Sequence, residues 1–429
     1  MKILVIGTGA REHAIVHSLD RENVSGVASH ELHAAPGNPG IAGAATLHPV
    51  DPLDGAAVTA LAQRIGAELV VVGPEAPLVA GVADAVRAAG IAVFGPSGEA
   101  ARLEGSKSFA KEVMAAAGVP TAMAHVCTDV AELEAALDAF GAPYVVKDDG
   151  LAAGKGVVVT DDRAAALDHG TACLAGENGR VVVEEYLDGP EVSLFCVCDG
   201  TTVVPLVPAQ DFKRVGNDDE GPNTGGMGAY TPLDWAPADL VDEVVARVAQ
   251  PTIDEMARRG TPFSGVLYVG LALTSRGTRV VEFNARFGDP ETQSVLARLA
   301  TPLSDVMLAS ARGRLAALEP LRWRPEASVT VVVASEGYPA SARSGDPITG
   351  IEEAQLLAGV HVLHAGTGRS ETGDLVSAGG RVLSVVALGS DLADARRRAY
   401  EGVARIELKG SHHRTDIALK AERGEVTVP

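Results

Sequence analysis

Glu282 and Asn284 stand two positions apart in the run Val280-Val281-Glu282-Phe283-Asn284, whose apolar residues are those of a buried strand. Period-2 geometry puts the two polar side chains on one face, roughly 7 Å apart along the chain. A carboxylate and an amide oxygen so placed suit a hard cation, Mg2+ or Mn2+, which keeps waters and takes its other ligands from substrate phosphates. Arg286 then offers a planar fork for a carboxylate or phosphate, and Gly288-Asp289-Pro290-Glu291 turns the chain. The same residues also suit a half-exposed edge strand followed by a turn. What other segments bring to this face decides between the two.

The candidate partners are cations. Ser106 is placed to cap a helix running through Ala117, with Gly118 past its end, and Lys107 falls in the first turn. The helix dipole disfavours a cation there, which points to an anionic partner, with a solvated surface lysine as the alternative. Lys147 ends the strand Tyr144-Val145-Val146 and leads into Gly150-Leu151-Ala152-Ala153-Gly154-Lys155-Gly156, after which Val157 begins another strand. Such a loop can fold its backbone N–H groups over phosphates. It is a poor P-loop, because the spacing is one residue short, Gly156 stands where a hydroxyl is required, and a strand follows instead of a helix. A lid hairpin with Lys147 and Lys155 as separate phosphate contacts fits better. Val181-Val182-Val183 ends in Glu184-Glu185-Tyr186-Leu187, with Glu191 further on. Backbone groups at Glu185 to Leu187 could take an adenine and Glu191 a ribose, although solvated acids on an ordinary strand are the plainer reading.

These residues need a frame. Ile3-Leu4-Val5-Ile6 runs into Gly7-Thr8-Gly9-Ala10-Arg11-Glu12 and a helix, the usual place for a phosphate. Glu12 replaces the third glycine of a dinucleotide fingerprint, so the turn is either structural or holds the phosphate of something smaller. Leu69-Val72 leads into Gly73-Pro74-Glu75, and Ala92-Val93-Phe94 into Gly95. Short apolar runs separated by helices predict a doubly wound parallel sheet over residues 1–102, with Gly7-Gly9 and Gly73-Glu75 at its carboxyl edge. A central domain, 103–322, would carry a lid subdomain at about 121–188. A compact α+β domain, 323–429, would close the chain. Within that last domain His412, His413, Arg414 and Asp416 read as surface polar residues.

Composition limits the function. The 429 residues carry 36 Lys and Arg against 56 Asp and Glu, a formal charge of -20 that argues against a nucleic-acid surface. Four cysteines without paired spacing fit a reducing compartment. No apolar run approaches membrane-spanning length and the start lacks the pattern of a signal peptide, so a cytoplasmic protein is expected.

Taken in order, Lys107, Lys147, the Gly150–Gly156 loop, Glu185-Tyr186-Leu187 with Glu191, and Glu282-x-Asn284 resemble the ATP-grasp enzymes. Gly73-Pro74-Glu75-Ala76-Pro77-Leu78, Leu103-Glu104-Gly105-Ser106-Lys107 and Gly221-Pro222-Asn223-Thr224-Gly225-Gly226-Met227-Gly228-Ala229-Tyr230 narrow the likeness, nearly end to end, to the phosphoribosylamine-glycine ligase family. Three positions depart from that family's usual residues: Ala10, Asp148 and Phe212. Asp148 would weaken a phosphate site unless alternation turns it away from Lys147.

The resemblance implies ATP, glycine and 5-phosphoribosylamine as substrates, with no nucleic acid or membrane partner. It implies an N-terminal pre-ATP-grasp domain, a central ATP-grasp domain and a small C-terminal domain, in a monomer or a weak dimer. Lys107, Lys147, Gly154, Lys155, Gly156, Glu185, Tyr186, Leu187 and Glu191 would bind ATP, and Glu282 and Asn284 the metal. Arg286, Lys147 and Lys155 would act on the transferring phosphoryl group. Gly7, Gly9, Gly73, Pro74, Glu75, Asp211, Lys213, Gly225 and Gly226 would line the substrate end. Asp289 and Pro290 would either hold substrate or fix the turn that aims Arg286. Another ATP-grasp ligase or carboxylase of purine synthesis, or a non-catalytic nucleotide-binding protein, is the competing expectation.

Overall fold

The computed structural model describes residues 1–151, 156–176 and 179–429. Its first sheet is parallel and five-stranded, in the order Thr46–Leu47, Glu31–Pro36, Lys2–Gly7, Leu69–Val72, Ala92–Phe94. The strand order reverses beside Lys2–Gly7, so the crevice beyond Gly7 and Gly73 is the topological switch point of the sheet.

Two antiparallel sheets follow. One, the lid sheet, runs Ala124–Cys127, Val181–Glu184, Tyr144–Asp148, Val157–Thr160 and packs its own small core around Leu133, Val146 and Val183. The other runs Val203–Pro205, Glu191–Asp199, Ser264–Thr274, Gly277–Asn284. The helix Lys107–Ala117 starts at the cap forecast from Ser106, whose Oγ accepts the Phe109 N–H at 3.2 Å, and it stops at Gly118 in the left-handed region.

The last large sheet crosses the expected boundary at 322. Its order is Gln210–Asp211, Gly228–Thr231, Ala327–Ala334, Arg381–Gly389, Val360–His364, so two strands of the central segment extend the sheet of the C-terminal domain. Gly228 is required where they meet, because a Cβ there would lie 2.6 Å from the Thr330 carbonyl oxygen.

The N-terminal helix Ala10–Val24 meets strand Val360–His364 along a seam of histidines. His13 Nδ1 accepts the His364 N–H at 2.8 Å, and the His17 and His361 rings lie 4.7 Å apart. Burial first, then the facing His364, lowers His13 to about 3; burial, then His361, Arg21 and Arg324, lowers His17 to about 3. These imidazoles stay neutral in the fold while the unfolded chain takes up protons near pH 6.5, so stability falls as pH drops from 6.5 towards 3. Each buried ring contributes up to about 1.4 kcal/mol per pH unit to that loss. We expect the urea midpoint to fall between pH 7 and pH 5, and to fall less in His13→Asn, whose amide oxygen can still accept the His364 N–H.

Candidate active site

One cavity of about 870 Å³ lies where the lid sheet, the Glu191–Asn284 sheet and the C-terminal domain converge. Strand Gly277–Asn284 supplies its floor through an irregularity that alternation alone would not give. Glu282 pairs with Gly270 and Val280 with Leu271, leaving Val281 bulged out of register. The bulge lets Val280 and Phe283, three positions apart, both face the core, and turns Glu282 and Asn284 together into the cavity. Asn284 Nδ2 lies 3.5 Å from Glu282 Oε1. Burial, the largest influence, raises the Glu282 carboxyl, but Lys213, Lys147 and Lys107 outweigh it and hold the group below its usual range.

The bulge has a second effect, because it presents the Val281 carbonyl to Lys147 Nζ at 3.1 Å. Lys147 is buried and also pairs with Glu184 Oε2 at 2.8 Å, while Lys111 Nζ takes Glu184 Oε1 at 3.0 Å. A carboxylate shared between two ammonium groups fixes the first lysine at the cavity wall. Lys107 Nζ donates to the Gly150 carbonyl at 2.9 Å. Its neighbour Ser108 is tied to the same loop: Asp149 accepts from its N–H at 3.0 Å and its hydroxyl at 2.6 Å. The loop is thus anchored to the helix N-terminus that carries Lys107. Of the neighbours Lys147 and Asp148, only Lys147 lines the cavity.

A divalent cation fits the donor set here. Among the described residues no group of three or more His, Cys, Asp or Glu could by itself enclose a metal. Glu282 and Asn284 set a carboxylate and an amide side by side in the cavity, a donor pair that suits a cation whose other ligands come from elsewhere.

Comparison with known proteins matches residues 1–104 to the phosphoribosylglycinamide synthetase N domain, 105–292 to its ATP-grasp (A) domain and 328–420 to its C domain. A phosphoribosylamine-glycine ligase of Streptomyces coelicolor is 70% identical over 424 residues, 98% of this chain and 99% of that one. The chain belongs to the phosphoribosylglycinamide synthetase family. A relative of the same name from Mycobacterium tuberculosis is 57% identical over the whole of both chains. The crystal structure of the Thermotoga maritima phosphoribosylamine-glycine ligase superposes with a TM-score of 0.84 at 33% identity, covering 97% of this chain and 100% of that one. The biotin carboxylase domain of Hydrogenobacter thermophilus 2-oxoglutarate carboxylase, at 18% identity and a TM-score of 0.71 over 96% and 91% of the two chains, shares the fold.

Within this synthetase-family frame the forecast residues separate into groups. Lys107, Lys147, Gly156, Glu185, Tyr186, Leu187, Glu191, Asp211, Lys213, Gly225, Glu282, Asn284, Arg286 and Asp289 all line the cavity. Gly154 and Lys155 lie outside the described residues. Lys213 pairs with Glu191, joining the segment expected to hold ribose to the one expected to hold substrate. Burial first, then Glu291, Glu191 and Glu282, pushes the Asp211 carboxyl up to about 8 against the pull of Lys213.

Gly7, Gly9, Gly73 and Pro74 are not among the cavity's lining residues; of that group only Glu75 reaches it. Glu12 is the reason. Its side chain folds back over the turn, Oε2 accepts the Gly9 N–H at 2.6 Å, and a Cβ on Gly7 or Gly73 would collide with it. For a phosphate to take the Gly9 amide, Glu12 would first have to leave it. Asn38 Nδ2 fastens the turn from the other side, donating to the Thr8 carbonyl at 2.8 Å and to that of His364 at 2.9 Å.

Arg286 does not present a free fork. Its Nε meets Glu75 Oε2 at 3.2 Å and its Nη2 meets Glu104 Oε1 at 2.8 Å. Burial, the largest influence, lowers the guanidinium, but Glu104 and Glu75 reverse it and leave the group firmly charged. Asp289 accepts from Gln293 Nε2 at 2.8 Å and pairs with Arg381 at 3.3 Å. Arg381 Nη1 also donates to the Gly226 carbonyl at 3.3 Å, so the Gly225-Gly226 turn and Asp289 share one guanidinium from the C-terminal domain, beside Pro290.

Sequence reasoning did not single out Lys111, Glu184, Glu104 or Arg381, because each acts through a partner far away in the chain. Glu291 reads in the sequence only as part of a turn. In the fold it is buried, accepting hydroxyl protons from Ser193 and Tyr268, each at 2.9 Å. The surface reading of Arg414 is overturned. It is 1% exposed, held by Asp219 and Asp416.

Proposed function

We infer that the chain ligates glycine to 5-phosphoribosylamine with ATP, forming glycinamide ribonucleotide, ADP and phosphate in purine biosynthesis. The observation that carries this reading is the convergence of Lys107, Lys147, Lys213, Glu282 and Asn284 on one cavity in a chain 70% identical to a phosphoribosylamine-glycine ligase.

Lys107, Lys147 and the Gly150–Gly156 backbone would hold the ATP phosphates, and Glu185 to Leu187 with Glu191 the nucleoside. Glu282 and Asn284 would hold Mg2+ or Mn2+, whose contribution when bound is to neutralise and align phosphate oxygens. A glycine carboxylate oxygen attacks the γ-phosphorus, the bond to the β–γ bridging oxygen breaks, and ADP leaves. The amine of phosphoribosylamine then attacks the glycyl phosphate carbonyl carbon, phosphate departs, and the nitrogen sheds a proton. Asp211 lines the same cavity, but a carboxyl pushed up to about 8 already carries its proton at neutral pH, so the departing phosphate makes the better acceptor. Arg286 would orient glycine or offset charge on the transferring group. Positioning and charge neutralisation, not covalent help, are what such a transfer needs from a protein. An acyl phosphate is lost to water, which gives the enclosing lid sheet a purpose.

The test is ADP release with glycine and phosphoribosylamine omitted in turn, together with identification of the amide product. We expect full turnover only when both are present. ATP binding without glycine-dependent ADP release would instead favour the non-catalytic nucleotide-binding reading.

A further inference from the structure

We propose that Arg414, in the C-terminal domain, is a positioning residue for the substrate-end loop: it holds Phe212–Asp219 in place and so keeps Lys213 in the cavity. The proposal rests on the functional reading above. The loop has little regular structure of its own, since strand Gln210–Asp211 is two residues long and the next strand begins at Gly228. Backbone hydrogen bonds close it on itself, among them Thr224 N–H to the Lys213 carbonyl at 2.8 Å and Val215 N–H to the Pro222 carbonyl at 3.1 Å, so what remains to be fixed is its seat on the C-terminal domain, where Arg414 meets Phe212, Arg214 and Asp219.

Its guanidinium is bidentate on Asp416, with Nε to Oδ1 at 2.8 Å and Nη2 to Oδ2 at 2.7 Å. Nη1 donates to Asp219 Oδ1 at 2.8 Å and to the Arg214 carbonyl at 3.2 Å. The plane lies over Phe212, 4.8 Å from the ring centroid, which gives this departure from the family's residue a physical role. One planar fork thus touches Phe212, Arg214 and Asp219 on both sides of Lys213, an arrangement a lysine ammonium cannot reproduce.

The loop also needs restraint. Asp218 and Asp219 both take left-handed backbone, with φ of 55° and 58°, which residues bearing side chains resist. Asp416 Oδ2 accepts the Asp218 N–H at 2.9 Å, and Asn217 bonds Thr415 at 2.7 Å and 2.9 Å. Arg414 is not itself a lining residue of the cavity, whereas Lys213, Arg214 and Asp219 are. It can reach the reaction only through them.

The experiment measures the KM values for phosphoribosylamine and ATP, with thermal melting alongside, in Arg414→Lys, Asp219→Asn and the double variant. We expect Arg414→Lys to raise the phosphoribosylamine KM about tenfold or more and that of ATP much less, because the loop reaches the nucleotide elements only through the pairing of Lys213 with Glu191. Asp219→Asn should give a smaller rise, and should add little in the Arg414→Lys background. Asp219 is more than half exposed, so its variant folds and keeps the test decisive if Arg414→Lys does not. Unchanged phosphoribosylamine KM in both single variants overturns the proposal. Equal rises in both KM values with a lowered melting temperature overturn it too, as a general structural effect. Absence of phosphoribosylamine-dependent turnover in the unsubstituted enzyme overturns the functional reading and this inference together.

Discussion

Glu282→Gln is expected to lower ATP-dependent amide formation by about 100- to 1,000-fold, the scale at which one preorganised electrostatic partner of a transition state is felt. Glutamine keeps the volume of the side chain and its contact with Asn284, so the fold should survive. What disappears is the Glu282 charge, which faces Lys213, Lys147 and Lys107 across the cavity. Lys107 and Lys147 would then meet ATP without the carboxylate that would anchor a divalent ion beside them, leaving only two neutral amide oxygens as donors. The metal concentration needed for half-maximal rate should rise as the rate falls, whereas loss of general stability would leave that concentration unchanged. Full metal-dependent turnover in the Glu282→Gln enzyme would remove Glu282 from the metal site. Asn284→Ala should weaken metal activation less, since no charge is lost.

The parts of this site legible in the sequence are those fixed by local geometry. Ser106, Lys107 and Gly118 could be placed because a helix cap is written in adjacent residues. Glu282 and Asn284 could be assigned to one face because they are two apart, but the bulge at Val281 could not be foreseen. It exists only in relation to strand Ser264–Thr274, and it determines both the burial of Val280 and the carbonyl offered to Lys147. Glu12 is visible as a broken glycine motif; that it refills the space the glycines leave depends on Gly73, 61 positions on and just past the end of strand Leu69–Val72. Arg414 looked like a surface residue because His412-His413-Arg414-Thr415-Asp416 is polar throughout. Its burial depends on the Phe212–Asp219 loop, which it meets at Phe212, Arg214 and Asp219, about 200 residues earlier. The C-terminal domain's share in the site, through Arg381 and Arg414, was illegible for the same reason: the contacts are long-range, and local pattern carries no trace of them.

Arg286→Met should separate structural from chemical roles of the guanidinium. Glu104 is buried, accepts the Ala285 N–H at 2.7 Å and meets Arg286 Nη2 at 2.8 Å. Burial already raises its carboxyl above the usual range even with Arg286 present. Removing the arginine strands a buried carboxylate, a change that costs about 3–5 kcal/mol in comparable pairs. The sign with pH is distinctive. Glu104 would hold its proton more tightly in the fold than in the unfolded chain, so the stability it contributes is present below the unfolded pKa and lost as pH rises through the folded one. The variant should therefore fall further behind the unsubstituted protein between pH 5 and pH 8, opposite in direction to the acid sensitivity of the histidine seam. A second substitution, Glu104→Gln, should flatten that pH dependence and recover much of the melting temperature. It should not recover turnover, because the charge next to the reacting groups is still missing. Recovery of both would make Arg286 only the neutraliser of Glu104. A single variant whose deficit did not change with pH would show that the pairing with Glu104 is not what holds Arg286 in place.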